Sequence, residues 1–185
     1  MSFSLGQFCL DYIHEILPPK SIILELGSGE STGILSKTFQ MYSVENDWSY
    51  LDRYDSTYIY APIVRYDELN CHRDSVSNYF LSYDCKLESN EFVFRQNNNG
   101  WYDLNSLILP KKYDMILIDG PHWTHGRGGF YQYLDLFNIN KPMVFDDVNR
   151  IPERVLIEKV SATVGREFEM FDGLDDSDKV VGVIK

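Results

Sequence analysis

The run Ser21-Ile-Ile-Leu-Glu-Leu26, broken at once by Gly27-Ser-Gly29, constrains this chain more than any other stretch. A short apolar segment rich in branched side chains and bounded by glycine reads as a strand buried on both faces, which implies a parallel sheet. Ser31 and Thr32 are good N-caps for a helix running to about residue 39. The same alternation recurs downstream. Residues 41–45 and 58–64 read as strands, with a helix over 47–54 between them. Residues 113–119 form another strand, ending in Asp119-Gly-Pro. A helix over 129–137, a strand over 142–146 and a helix opened by Pro152 and reaching about residue 164 follow. Before all of these, Phe8, Cys9, Tyr12, Ile13 and Ile16 recur at helical spacing within 5–17, and Pro18 and Pro19 stop that helix. Segments 167–171 and 180–184 lie too close for a helical crossover, so they should pair antiparallel. The expected fold is α/β: a Rossmann-like, doubly wound, mostly parallel seven-stranded sheet with a C-terminal antiparallel strand pair.

A chain of 185 residues fits one domain. Residues 65–112 carry the least regular signal. They are polar and aromatic, Asn97-Asn-Asn-Gly100 marks a turn, and 91–95 alternates like a short strand or hairpin arm. This stretch is expected to be an insertion that decorates the core and selects the substrate. No apolar run approaches the roughly 18 residues that span a bilayer, and the start, MSFSLGQFCL, lacks the basic region of a signal peptide. Cys9, Cys71 and Cys85 are odd in number and lack metal-ligand spacing, which points to free thiols in a reducing compartment and to a cytoplasmic location. The net charge of −11 at pH 7, without a Lys/Arg cluster, argues against nucleic acid and anionic membranes as partners. It is compatible with a cationic ligand. Many of the 13 Tyr, 11 Phe and 3 Trp fall between residues 42 and 113; they either line an acceptor site for sugars and planar rings or fill core and surface.

In doubly wound sheets ligands bind beyond the carboxyl ends of the strands, where the strand order reverses. The residues just after each strand are therefore the candidates. Gly27, Ser28 and Gly29 allow a tight turn and close ligand approach, and the helix start beyond them offers N–H groups to an anion. Glu25, just before that turn, suits a ligand with an ammonium group. Glu45-Asn46-Asp47 places an acid about 20 residues beyond the glycines, as a ribose diol requires, although an acid at a strand end is also commonly just exposed. Asp119, with His122 and His125 behind it, and Asp146-Asp147 end neighbouring strands. Clustered carboxylates share a proton or bind a hard cation. Alternatively, Asp147 or Asn149 caps the next helix and Asp146 bonds backbone. His122 suits a general base, since histidine titrates near neutrality. The glycines at 126, 128 and 129 around Arg127 suggest a mobile or anion-binding loop.

Ile-Leu-Glu-Leu-Gly-Ser-Gly-Glu-Ser-Thr and Ser-Val-Glu-Asn-Asp-Trp48 resemble the first two cofactor motifs of class I S-adenosylmethionine-dependent methyltransferases. Trp101-Tyr-Asp, Tyr113-Asp-Met-Ile-Leu-Ile-Asp-Gly-Pro and Phe145-Asp-Asp-Val-Asn-Arg-Ile-Pro-Glu-Arg154 resemble a bacterial branch similar to polysaccharide and metal-dependent sugar O-methyltransferases. The resemblance implies that Glu25, Gly27, Ser28 and Gly29 hold the methionine part of the cofactor and that Glu45 takes the ribose hydroxyls; Asn46, beside Glu45, and Asp119, at the same rim, are expected to touch the cofactor as well. It further implies a magnesium site at Asp119, Asp146 and Asp147. The chain departs from the pattern in having Ser31 where a third glycine is usual and Asn140-Lys-Pro142 where Pro-Gly-Gly is usual.

These readings converge on S-adenosylmethionine-dependent O-methylation of a small-molecule or carbohydrate acceptor, metal-assisted, with His122 and Asp119 as catalytic residues. Two rivals stand beside them. A nicotinamide oxidoreductase would fit Gly27-x-Gly29-x-x-x-Gly33, but none of the 13 tyrosines has the Lys four residues later that short-chain dehydrogenases use. A non-catalytic Rossmann-like nucleotide-binding module would leave the clustered acids without a task.

Overall fold

The structure, a computed structural model, describes residues 5–65, 98–172 and 179–185. Helix α1 (Gln7–Ile16) leads into β1 (Ile22–Leu26), α2 (Glu30–Leu35) and β2 (Gln40–Glu45). After β3 (Ser56–Tyr60) and β4 (Ile63–Arg65), the chain resumes with β5 (Gly100–Tyr102), β6 (Met115–Ile118), α3 (Gly129–Gln132) and β7 (Met143–Phe145). Helix α4 (Ile151–Val164), β8 (Phe168–Asp172) and β9 (Val180–Ile184) complete it. Seven strands form one sheet in the order β3-β2-β1-β6-β7-β9-β8. The first five run parallel, and β9 is antiparallel to both β7 and β8. The expected sheet and its C-terminal antiparallel pair are both present.

Period-two alternation divides the strands between two cores. Ile23, Met115, Leu117 and Val144 face one side, where Cys9, Leu10 and Ile13 of α1 and Leu35 of α2 cover them. Leu24, Leu26, Ile116, Ile118, Met143 and Phe145 face the other, under Phe130 of α3 and Val155, Leu156, Ile157 and Val160 of α4. Because both faces are covered, β6 and β7 are buried throughout, as their unbroken apolar sequences require. Among the described residues no helix is long and apolar enough to cross a membrane.

Several local expectations change. The segment 47–54 is not a helix; Asp47 caps a single 3₁₀ turn, Trp48–Tyr50, by accepting from the Ser49 N–H. The segment 58–64 splits. β3 ends at Tyr60, Pro62 supplies no N–H to a ladder, and β4 leaves the main sheet to pair with β5. Ser31 and Thr32 lie inside α2 rather than capping it. Gly29 is the N-cap, while Ser31 accepts from the Leu5 N–H and Thr32 serves Glu25. Helix 129–137 stops early, because Tyr133 leaves helical geometry. The stretch expected to decorate the core contributes to it: Trp101 and Tyr102 have no exposed area and lie in the same cluster as β1 and β6. Segment 91–95, Cys71 and Cys85 lie outside the described residues.

Candidate functional site

The strand order reverses between β1 and β6, so the crevice at their carboxyl ends is the place to look. Its floor is made by two glycines. Gly27 sits at φ +86°, in the left-handed region, and its backbone meets that of Gly120. A Cβ on Gly120 would fall 2.6 Å from the Gly27 Cα and 2.7 Å from the Tyr102 hydroxyl, so only hydrogen fits there. Glycine is therefore needed at both positions for the loops after β1 and β6 to touch.

Glu25, the penultimate residue of β1, is 1% exposed. Its Oε2 accepts from Thr32 Oγ1 at 2.8 Å and Ser43 Oγ at 2.7 Å, while Oε1 is buried without a partner. Burial pushes this carboxyl up from its ordinary 4.5 to about 7, against the two hydroxyl bonds and with help from the negative Glu45. Glu45 ends β2. It accepts from Ser28 N at 2.9 Å, Asn46 N at 2.6 Å and Asp47 N at 2.7 Å, which ties the glycine turn to the end of β2. Burial raises its pKa too, opposed by these three bonds. A carboxylate offers about four acceptor positions, so Glu45 has room for one ligand hydroxyl rather than two. Beyond it, Trp48 is 69% exposed and its ring lies 4.0 Å from that of Tyr60, at the end of β3.

The second half of the site follows β6 and β7. Asp119, Asp146 and Asp147 each place a carboxylate oxygen within 4.8 Å of the others, so these three acids do converge. Sequence reasoning missed their counter-charge. Arg127 is 4% exposed and lies among them. Its Nη2 donates to Asp119 Oδ1 at 3.1 Å and Asp147 Oδ2 at 3.0 Å, and its Nη1 donates to the Asp146 carbonyl at 2.7 Å. Arg150 adds a 2.9 Å ion pair to Asp147, and Lys179 a 3.2 Å pair to Asp146. Asp147 holds its place at a positive φ of 62°, which Asp tolerates better than most residues. The glycines around Arg127, expected to make a mobile or anion-binding loop, instead pack it against Asn98 and Trp101. Gly128 donates its N–H to Asn98, and Gly129 lies where any Cβ would strike the Trp101 indole, which packs the arginine inward. The signal available beforehand was one arginine among glycines between two acid-bearing strand ends.

Burial raises the Asp119 carboxyl well above the usual carboxylate range, and the negative Asp146 adds to it, while Arg127 pulls the other way. The Asp119 side chain keeps 19% of its exposure. Tyr102 brings a buried, unpartnered hydroxyl to the same floor; burial and then Glu45 hold it neutral. His122 is exposed on the loop after β6, with its Nδ1 3.0 Å from Thr124 Oγ1 and its ring beside Trp123. His125 is half-buried, and burial lowers its pKa.

Two groups implied by the sequence can be tested against this geometry. A nucleoside linked to an amino acid fits: a buried acid with an unpartnered oxygen, an acceptor at the end of β2 and an exposed aromatic face lie along adjacent strand ends. A divalent ion does not fit the acids as they stand, because Arg127 Nη2 already bridges two of the three carboxylates.

No protein-family model matches the chain, and no curated protein matches it in sequence. Among solved structures, it resembles a methyltransferase from Pyrococcus furiosus with a TM-score of 0.55 and 9% identity, over 96% of this chain and 80% of that one. Human methyltransferase-like protein 13, solved in complex with SAH, superposes at a TM-score of 0.45 with 10% identity, over 94% and 74% of the two chains. The first likeness shows a shared Rossmann-like fold.

Proposed function

We propose that this chain is an S-adenosylmethionine-dependent methyltransferase acting on a hydroxyl of a small, hydroxylated acceptor such as a sugar. One observation carries the reading. Acids end three adjacent strands, Glu25 on β1, Glu45 on β2 and Asp119 after β6, around the Gly27–Gly120 contact at the point where the strand order reverses. Glu45 alone would suit the ribose of any nucleotide, but Glu25 beside the glycine turn would crowd a pyrophosphate there, whereas it suits the ammonium of a cofactor that also carries a sulfonium. The fold shared with a methyltransferase agrees with it.

In this reading Glu25 attracts the ammonium, and Gly27, Ser28 and Gly29 turn the backbone beneath the methionine part. Glu45 accepts from one ribose hydroxyl through its remaining lone pair, with Asn46 beside it. Trp48, backed by Tyr60, offers its exposed face to the base. When bound, the cofactor supplies a methyl group on sulfur, which passes in line to the acceptor oxygen. The chain's part is alignment and proton removal. Asp119 takes the acceptor's proton in its ionised form, which Arg127 favours and whose Oδ1 it orients. His122, exposed on the same loop, then passes the proton to solvent. Proton removal by Asp119 needs no divalent ion, so the metal-assisted form of the reaction becomes the weaker one.

The test is methyl transfer from labelled S-adenosylmethionine to a panel of sugars, nucleotide sugars and phenols, with thiol and amine acceptors as controls. Label on oxygen, lost in Asp119→Asn and reduced in His122→Ala, is the expected result. Label on nitrogen or sulfur alone would remove the O-methylation reading, and no label on any acceptor would remove transfer itself.

A further inference from the structure

The acids at the ends of β6 and β7 have the donor chemistry of a magnesium site, yet their charge is already met from within the chain. Each acid is paired with a cation of the chain at 2.9–3.2 Å: Asp119 with Arg127, Asp147 with Arg127 and Arg150, and Asp146 with Lys179. Geometry says the same as charge. Asp119 Oδ1 and Asp147 Oδ2 both lie on one nitrogen of Arg127, which therefore sits between two of the three carboxylates. A magnesium ion needs oxygens at about 2.0–2.1 Å in octahedral array, which the guanidinium excludes while it is there. Arg127 is also held independently of the carboxylates, by Nη1 on the Asp146 carbonyl, while the Asn98–Gly128 and Trp101–Gly129 contacts fix the backbone that follows it.

We infer that Arg127 is the built-in cation of this cluster: it occupies the place of a divalent ion, the wild-type chain binds none there, and removing the guanidinium creates a metal site from Asp119, Asp146 and Asp147. This goes beyond the methyltransferase reading and does not depend on it. The consequence is a carboxylate cluster held in a fixed arrangement whether or not metal is available. The fork geometry is specific, since a lysine offers one ammonium and cannot reach the two carboxylates and the carbonyl from two separate nitrogens.

The experiment measures metal alone on the full chain, without cofactor or acceptor. Free Mn²⁺ is followed by electron paramagnetic resonance, and Mg²⁺ and Ca²⁺ by calorimetry, on the wild type, Arg127→Met and Arg127→Gln, with Asp146→Asn added to each. The wild type is expected to show no site tighter than about 1 mM, beyond the range of even weak extracellular calcium modules. Arg127→Met is expected to gain one Mn²⁺ site at least tenfold tighter than any in the wild type, abolished by Asp146→Asn, with a Tm that rises with Mn²⁺ only in the variant. If Arg127→Met does not fold, Arg127→Gln carries the same expectation. Wild-type binding below that limit that is lost on Asp146→Asn overturns the inference. So does a folded Arg127 variant that gains no metal site.

Discussion

At the residue scale, the site is a set of acids held in unequal environments, and the inequality yields tests. Glu25 takes up a proton on folding, because its pKa rises from 4.5 to about 7 on burial. The folded state then binds more protons than the unfolded one between those values, so Glu25 subtracts stability as pH rises through that window and subtracts a constant amount above it. Glu25→Gln keeps a carbonyl for Thr32 and Ser43 and places an amide where Oε1 is unpartnered. Its stability relative to wild type should climb from about pH 4.5 to 7 by on the order of 3 kcal/mol, measured by urea unfolding of the ligand-free protein across that range. Affinity for S-adenosylmethionine should run the other way, rising in the wild type as Glu25 ionises and staying flat and weaker in the variant. A variant with the wild-type pH profile would mean that Glu25 does not titrate there. Glu45 gives a second test. Glu45→Ala removes a charged partner from a ligand hydroxyl, worth ~1.5–3 kcal/mol, so cofactor affinity should fall more than roughly tenfold by calorimetry. Unchanged affinity would remove Glu45 from the site. Arg127 gives a third. Arg127→Met leaves buried carboxylates without their shared cation, and in metal-free buffer this should cost about 3–5 kcal/mol of unfolding free energy. A loss within about 0.5 kcal/mol, the range of an ordinary surface change, would show that the pairing contributes nothing.

At the element scale, the close approach of the loops after β1 and β6 decides whether the crevice exists. Gly120→Ala would drive a methyl group into the Gly27 backbone and the Tyr102 hydroxyl. Separating those loops should cost about 1–3 kcal/mol and abolish cofactor binding while the sheet survives. Full affinity in this variant would show that the contact is incidental. The strands and their acids were legible in sequence for one physical reason: a buried parallel strand must be apolar along its length, so the first polar residues after it mark its end. Asp119 and Asp146, with Asp147 beside it, follow that rule after β6 and β7, whereas Glu45 and Glu25 were visible as the acids at the end of β2 and beside the glycine turn. Residues that reach the site from outside the strand–helix alternation were not legible. Arg127 is buried only because Gly128 and Gly129 let its loop press onto Asn98 and Trp101, and those partners sit about 30 residues upstream. Tyr102 lies in a three-residue strand whose partner, β4, departs from the sheet at Pro62. A three-residue element has too little periodicity to read. Segment 47–54 misled for a related reason: Asp47 folds back on the Ser49 N–H, a local bond that competes with helix.

At the scale of the whole molecule, the sheet turns a linear pattern into a crevice: five parallel strands deliver their carboxyl ends to one rim, and the antiparallel β9 closes the far side with Lys179 just before it. The net charge of −11 adds a diffuse attraction for cations that salt should screen. That rim should accept a nucleoside joined to an amino acid, which equilibrium binding measures. Titration of the full chain with S-adenosylhomocysteine and, separately, with NAD, in chelator and at two salt concentrations, should give saturable binding for the first with a Kd below about 100 μM and none for the second. Saturable NAD binding with no response to S-adenosylhomocysteine would contradict the account.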